Sequence, residues 1–535
     1  MEGQMMDAVS APNSVNYGDQ LPLGIEAKSQ KRLFFPTTGD TYTATGNNIA
    51  RIDINYDGLL DTAQSYLEFD LQNTCGASAS LDLGQATIKK LTVSSGGVVL
   101  EEIHDYNTLV GAFLVPSNAG KQNLHYESMN LTGINFAANF TERSVAQVRA
   151  TVQPSAPRAI AAGDIAQAIG DTSMMNEAGN IQTAIIQAVN ALGRTVLTDA
   201  DGADTGAGTL ATVLRDVVNS YATNNANGTF ETLRYSPTTG AIGDNTGAIG
   251  NGASRKQHYK LVSGLLDNDK YLPLVLMNAG ITLEIEFAPG NEAGCAVGRD
   301  FTYQITQLRY AAHLIDLERS FYDRLRMVQQ NSGGVLQIAG QSYRGFRGTI
   351  DDGSQNGAIN CPARVRSIKS FFFGYKRATQ QSRFNISAMG HNNLSEFQLS
   401  IGATRYPPTP NKCDATSNKS GAYTELMKAF GKIGSTVHSD LLNSGNYMIA
   451  SGADAFNGVS ARIPFSPFAI DLESFRHEIE NGIDSSSRAL PITLHTQHTG
   501  AGGANIEGGV NDVYMYVLYD SLFYVNMDGS VSVSS

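Results

Sequence analysis

Residues Ser94–Leu114 read SSGGVVLEEIHDYNTLVGAFL. Gly96-Gly97 is a two-residue turn signal between an apolar run that ends near Ser94 and a second short strand, Val98, Val99 and Leu100. A helical turn is expected to follow, carrying Glu101, Glu102, Asp105, Tyr106 and Asn107. A hairpin feeding a short helix places this stretch at one end of a β-rich unit.

The flanking sequence has the same style. Upstream, Leu33 to Phe35 reads as a strand. Ile52, Ile54 and Tyr56 alternate, as do Leu67, Phe69 and Leu71, with Glu68 and Asp70 expected to face water. Leu91 and Val93 lead into the hairpin. Downstream, strands are expected at His258 to Leu266, Tyr271 to Leu274, and Ile281 to Phe287, where Thr282, Glu284 and Glu286 point outward. TYQITQLRYAAHLIDL is followed by Leu317, Phe321, Leu325 and Val328 at helical spacing, and Asn331-Ser332-Gly333-Gly334 stops that helix. A domain boundary belongs here.

The second half predicts strands at Val335 to Ile338, Arg364 to Tyr375, Phe397 to Ile401, Ser460 to Ile470, Ile492 to His495, Val513 to Tyr519 and Leu522 to Val525. A helix is expected around Tyr423 to Phe430, and Asp528-Gly529 marks a last hairpin turn. A length of 535 residues exceeds the roughly 250–300 at which single cores stop growing. Two tandem all-β units follow, each of many short strands punctuated by Gly, Pro and Asn. Residues 1–30 read as a polar arm. Between about 150 and 255 the composition shifts to Ala, Gly, Asn and Thr, with helical patterns at Ile181 to Leu192 and Leu210 to Tyr221. This insertion is expected to decorate one barrel end.

Charged residues make up only 16%, and the formal charge is −12 with no basic run at either end. That balance argues against wholesale neutralisation of nucleic acid. Four scattered cysteines, Cys75, Cys295, Cys361 and Cys413, form no CxxC or CxxH pattern and signal neither zinc nor a disulfide framework. The N-terminus lacks the pattern of a secretory signal, and no apolar stretch is long enough to span a bilayer. A reducing compartment is expected, and the Asn-x-Ser/Thr triplets at Asn130, Asn139, Asn227, Asn385, Asn393 and Asn418 then read as chance matches.

Candidate chemistry is sparse. Asp204-Thr205-Gly206-Ala207 matches an aspartic-protease string, but it follows polar TDADGA instead of the apolar strand that would desolvate the carboxylate. Asp199, Asp201 and Asp204 suggest a calcium loop, yet the required Gly and Glu positions hold Asp204 and Leu210. His495 and His498 sit three apart on a strand, which sends them to opposite faces. His104 and His313 read as packed or surface residues. Phe371, Phe372, Phe373 and Tyr375, near Lys369 and Lys376, read as core instead of a base-stacking platform. Glu473 and Glu480 have no visible partner base and read as turn or interface residues. No catalytic residue, metal site or cofactor is expected.

VLEEIHDYNTL after the Gly-Gly turn resembles a segment of the first barrel of double jelly-roll major capsid proteins of double-stranded DNA viruses, closest to the Polinton-like virus, virophage and adintovirus branch. Six further stretches are similar to that family in order: SYLEFDLQNT (Ser65–Thr74), GLLDNDKYLPLVLMNAGITLEIEFA (Gly264–Ala288), LIDLERSFYDRLR (Leu314–Arg326), FQLSIGATRYPPTP (Phe397–Pro410), FAIDLESFRHEIENGIDSSSRALPITLHTQ (Phe468–Gln497) and YMYVLYDSLFYVNMDGSVSV (Tyr514–Val533). The resemblance implies two eight-stranded antiparallel jelly rolls, at 31–315 and 335–535, joined by a helix and linker at 316–334. It implies a structural, non-enzymatic protein of the virion, made in the host cytoplasm, whose homotrimers form pseudo-hexagonal capsomers of an icosahedral capsid. The expected partners are other copies, penton and minor capsid proteins, with no sequence-specific nucleic acid; the membrane question stays open. The alternative is a β-sandwich attachment or carbohydrate-binding protein, against which the absence of Trp counts.

Overall fold

The computed structural model describes residues 27–76, 79–81, 85–118, 249–268, 270–296, 301–351, 354–377, 389–415, 417–433, 442, 447–448, 466–475, 478–487, 490–499 and 511–535. The Asp199–Ala207 candidates, both insertion helices and the first 26 residues lie outside them.

Sixteen principal strands fall into two sets of eight. The first set is β1 (Ala27–Phe34), β2 (Ile49–Ile54), β3 (Leu59–Asn73), β4 (Ile88–Ser95), β5 (Val98–Ile103), β6 (Ser254–Tyr259), β7 (Ile281–Phe287) and β8 (Tyr303–Leu317). Helix α1 (Arg319–Asn331) leads to the second: β9 (Val335–Ile350), β10 (Asn356–Cys361), β11 (Ile368–Arg377), β12 (Leu394–Ile401), β13 (Thr404–Lys412), β14 (Phe468–Asp471), β15 (Ile492–His498) and β16 (Asn511–Asn526). Helix α2 (Lys419–Ala429) lies between β13 and β14.

The hydrogen-bonded orders are β1-β8-β3-β6 and β2-β7-β4-β5 in the first unit, and β9-β16-β11-β14 and β10-β15-β12-β13 in the second. Adding eight to each label of the first unit reproduces the second. All these pairings are antiparallel, and the order is that of a jelly roll, two four-strand sheets facing each other. Short accessory strands at Thr41–Thr43, Leu272–Pro273 and Val531–Ser534 extend the first sheet of each unit, so the units hold more strands than the expected eight.

The alternation explains the sandwich. In β7, Ile281, Leu283, Ile285 and Phe287 are buried while Glu284 is exposed. In β11, Phe371, Phe372, Phe373 and Tyr375 are all buried, since β11 is an inner strand between β16 and β14. Edge strand β13 carries Pro407, Pro408 and Pro410, which withhold N–H donors from any further strand.

Several boundaries differ from expectation. Glu101, Glu102 and Ile103 continue β5, and helix begins only at Tyr106–Thr108, passing into a π-helical stretch at Leu109–Leu114. Glu68 does not face water: it is buried against Arg309 at 2.6 Å and Lys256 at 3.3 Å. β9 runs sixteen residues instead of four, and β16 joins the two strands expected at Val513 to Tyr519 and Leu522 to Val525. β1 starts at Ala27, inside the stretch read as arm. The expected His258 to Leu266 strand stops at Tyr259.

Consecutive strands run in opposite senses, so the β5–β6 and β13–β14 connections leave the same end of their barrels, opposite the tight turns at Gly96-Gly97 and Gly402. The β5–β6 connection leaves the described residues after Asn118 and returns at Ile249. Ile249 is buried and exchanges backbone hydrogen bonds with Ala79 at 2.7 and 3.0 Å, so the insertion rejoins a fixed point of the core.

Candidate functional site

The residues quoted first build the surface that locks the two barrels together. Glu101, within strand β5, is buried. Its carboxylate accepts the Ser263 hydroxyl and the N–H groups of Gly264 at 2.8 Å and Leu265 at 3.1 Å. This clamps the turn after β6 against the second barrel. There Asn268 donates from Nδ2 to Ala339 O at 2.7 Å, while its partner strand passes so close that a Cβ on Gly340 would lie 2.2 Å from Gly264 O.

The next residues extend the seam. A Cβ on Gly345 would lie 2.5 Å from His104 O, and Tyr516 donates its hydroxyl to Asp105 O at 2.8 Å. Asp105 adopts φ 48°, which turns the chain from strand into helix. Phe113, in the π-helical stretch, packs edge-on against Tyr516 at 5.2 Å and Phe372 at 6.5 Å between ring centroids. At the far side Asn278 N–H donates to Gly529 O at 3.0 Å. Backbone, aromatic rings and satisfied polar groups therefore all cross from one barrel to the other.

Ion pairs sit behind this seam. Lys89 lies 2.6 Å from both Asp105 and Glu292. Burial alone would lower its ammonium pKa, but the two carboxylates outweigh burial and hold it above the usual range. Burial likewise works against ionised Glu68, and hydrogen bonds from Arg309 and Lys256 overcome it, leaving its carboxyl below the usual range. In the second barrel Lys369 is buried and reaches Glu473 at 2.8 Å, Glu478 O at 2.8 Å and Asp520 at 3.4 Å. Glu473 thus has the basic partner that the sequence did not show. Glu480, at φ 57°, donates its N–H to Asp520 at 2.9 Å.

His495 and His498 fall on opposite faces of β15, as their spacing requires. His495 is half-buried, with Nε2 2.9 Å from Ser400 Oγ. His498 is buried; its Nδ1 lies 2.7 Å from Asn392 O and its Nε2 3.0 Å from Thr496 Oγ1, so a neutral ring donating to the first and accepting from the second satisfies both. Burial holds its pKa below the usual range, with the Asn392 bond opposing. The unfolded ring titrates near about 6.5, so His498 takes up protons on unfolding, and stability is expected to fall as pH drops from about 6.5 toward 5. Denaturant midpoints across that window should show the slope, and His498→Gln should flatten it. An unchanged slope in the variant would exclude His498 as its source.

His104 is exposed 3.5 Å from Glu102, and His313 is half-buried 3.6 Å from Asp61. Burial pushes the thiols of Cys361 and Cys413 up to about 12, far from a nucleophile's range. Among the described residues no cluster of three His, Cys, Asp or Glu is placed to hold a metal ion, and no helix is long and apolar enough to cross a membrane.

No protein-family model and no curated protein matches the sequence. Solved structures similar to the chain include VP54 of PBCV-1, fitted into a reconstruction of the virophage Sputnik (9% identity, 97% of this chain and 99% of that one, TM-score 0.49). The Faustovirus major capsid protein is similar at 9% identity (95% and 92%, TM-score 0.48), and the mavirus major capsid protein at 7% (100% and 96%, TM-score 0.44). By its own strand order, repeated in both halves, the chain is a double jelly roll.

Proposed function

We propose that this chain is a viral major capsid protein that works by assembly and not by catalysis. The observation that carries the reading is the seam: two barrels of the same strand order are held side by side through backbone contacts too close for any side chain. A fused pair of like barrels, repeated three times about an axis, presents six similar units with a pseudo-hexagonal outline that can tile a flat face. Seven stretches resembling the double jelly-roll capsid family, spread from Ser65 to Val533, support the same reading, and VLEEIHDYNTL among them supplies the seam residues Glu101, His104 and Asp105. The partners are then further copies, penton and minor capsid proteins, and the location is the virion after synthesis in the host cytoplasm.

The mass of the purified protein, by light scattering coupled to size exclusion, tests this directly. A species near three times 57.1 kDa that resists dilution is expected, with sheets or shells under the electron microscope. A dilution-proof monomer that never assembles, even at high concentration, would count against it.

A further inference from the structure

Helix α1 leaves a face with two apolar side chains and a cation uncovered. Gln329 is buried and donates to Val525 O at 2.9 Å, so the helix rests on β16 by that side. Ser320, Arg324, Met327, Val328 and Asn331 share the flank turned away from that contact, and all five are exposed. Met327 and Val328 are 60% and 51% exposed, high for apolar side chains one turn apart from a cation. The helix carries Arg319, Arg324 and Arg326 against a single Asp323, in a chain of net charge −12. Lys28, Lys31 and Arg32 on neighbouring β1 are exposed as well.

The chain itself supplies a matching segment. Ala27 pairs with Leu317, two residues before α1 begins, so whatever precedes Ala27 is delivered to the first turn of the helix. Residues 1–26 contain Glu2, Asp7, Asp19 and Glu26 and no Lys or Arg, and their last part, LPLGIE, is apolar with an acid at each side in Asp19 and Glu26. Val328 lies about 16 Å along the helix from Leu317 at 1.5 Å per residue, a span that about five extended residues cover. Leu21, six residues before Ala27, is therefore within reach of Met327 and Val328, while Ile25, two residues before it, reaches only the first turn of the helix.

We propose that residues 1–26 dock on the Arg324–Met327–Val328 face of their own chain's connecting helix, strapping the first barrel to the junction with the second. The tether holds the arm at a high effective concentration beside this face, which favours the same chain over a neighbour. The contact is internal to one chain and stands whether or not the protein builds shells.

Full-length protein with p-benzoylphenylalanine in place of Val328 tests the contact by photocrosslinking. No Lys or Arg precedes Lys28, so trypsin releases residues 1–28 as one peptide. The expected product runs at monomer mass on a denaturing gel and carries that peptide on the helix. Arg324→Glu should lower its yield roughly fivefold, the effect of losing one screened ion pair, and the same photoprobe at Arg326, on the other flank, should give little of it. Adducts to other segments, no adduct, or adducts only between two chains would each overturn the proposal. Loss of the arm adduct on adding phosphatidylserine vesicles that bind through Arg324 would assign the face to an anionic surface and overturn it equally.

Discussion

Lys369→Met is expected to destabilise the second barrel by about 3–5 kcal/mol, the range for breaking a buried ion pair from one side. Asp520 is buried and keeps two donors after the change, the Ser367 hydroxyl at 2.8 Å and Glu480 N–H at 2.9 Å, but no cation. Glu473 and the Glu478 carbonyl lose their donor too. The same cluster ties the start of β11 to the chain between β14 and β15, since Ile368 and Ile483 exchange backbone bonds at 2.9 and 3.0 Å and Gly482 N–H donates to Ser367 at 3.0 Å. Loosening it frees that whole connection. Denaturant midpoints, read together with hydrogen-exchange protection of β11 amides, measure the loss in the barrel concerned. Asp520→Asn in the Lys369→Met background should recover part of it, because the unpaired charge is then gone. The exposed pair Arg51–Asp53, at 3.4 Å, is the control: Arg51→Ala should shift stability by less than about 1 kcal/mol. Equal effects at both sites would show that burial does not set the cost.

The contrast between these pairs also shows what a sequence can disclose. Period-two alternation in Ile281–Phe287 and the Gly-Gly turn at 96 and 97 report a local condition, one face in and one face out, and both were legible. Lys369, Glu473 and Asp520 lie far apart in the chain, and nothing local distinguishes them from surface charges. The helical turn expected after Leu100 takes in Glu101 and Glu102, yet β5 continues through them, Glu101 finding three donors from the turn after β6. A charged residue inside an apolar strand was the available signal. Asp520-Ser521 interrupts the apolar run of β16, and Gly340, Gly345 and Gly348 interrupt β9, so the full length of neither strand is legible locally.

Those glycines matter most where the barrels meet. Gly340→Val is expected to open the seam, because the first side-chain carbon would sit 2.2 Å from Gly264 O and 2.8 Å from its carbon, both backbone atoms that no rotamer change can move. Gly264 cannot retreat freely, since Glu101 holds its N–H and Asn268 Nδ2 donates to its carbonyl at 3.1 Å. Overpacking of this kind typically costs about 1–3 kcal/mol and occasionally more, and here the strain is relieved by separating the barrels instead of unfolding either one. Limited proteolysis should then cut α1 faster while amide protection inside both sheets persists, and any trimer of the wild-type chain should weaken. Gly97→Ala separates the two roles of glycine. At φ 84° with nothing within 4 Å, it meets backbone strain but no neighbour, so it should cost about 1 kcal/mol and leave α1 protected. If Gly340→Val lowered protection throughout the second barrel as fast as it exposed α1, the close approach would be a requirement of folding, and the barrels would be one cooperative unit instead of two docked ones.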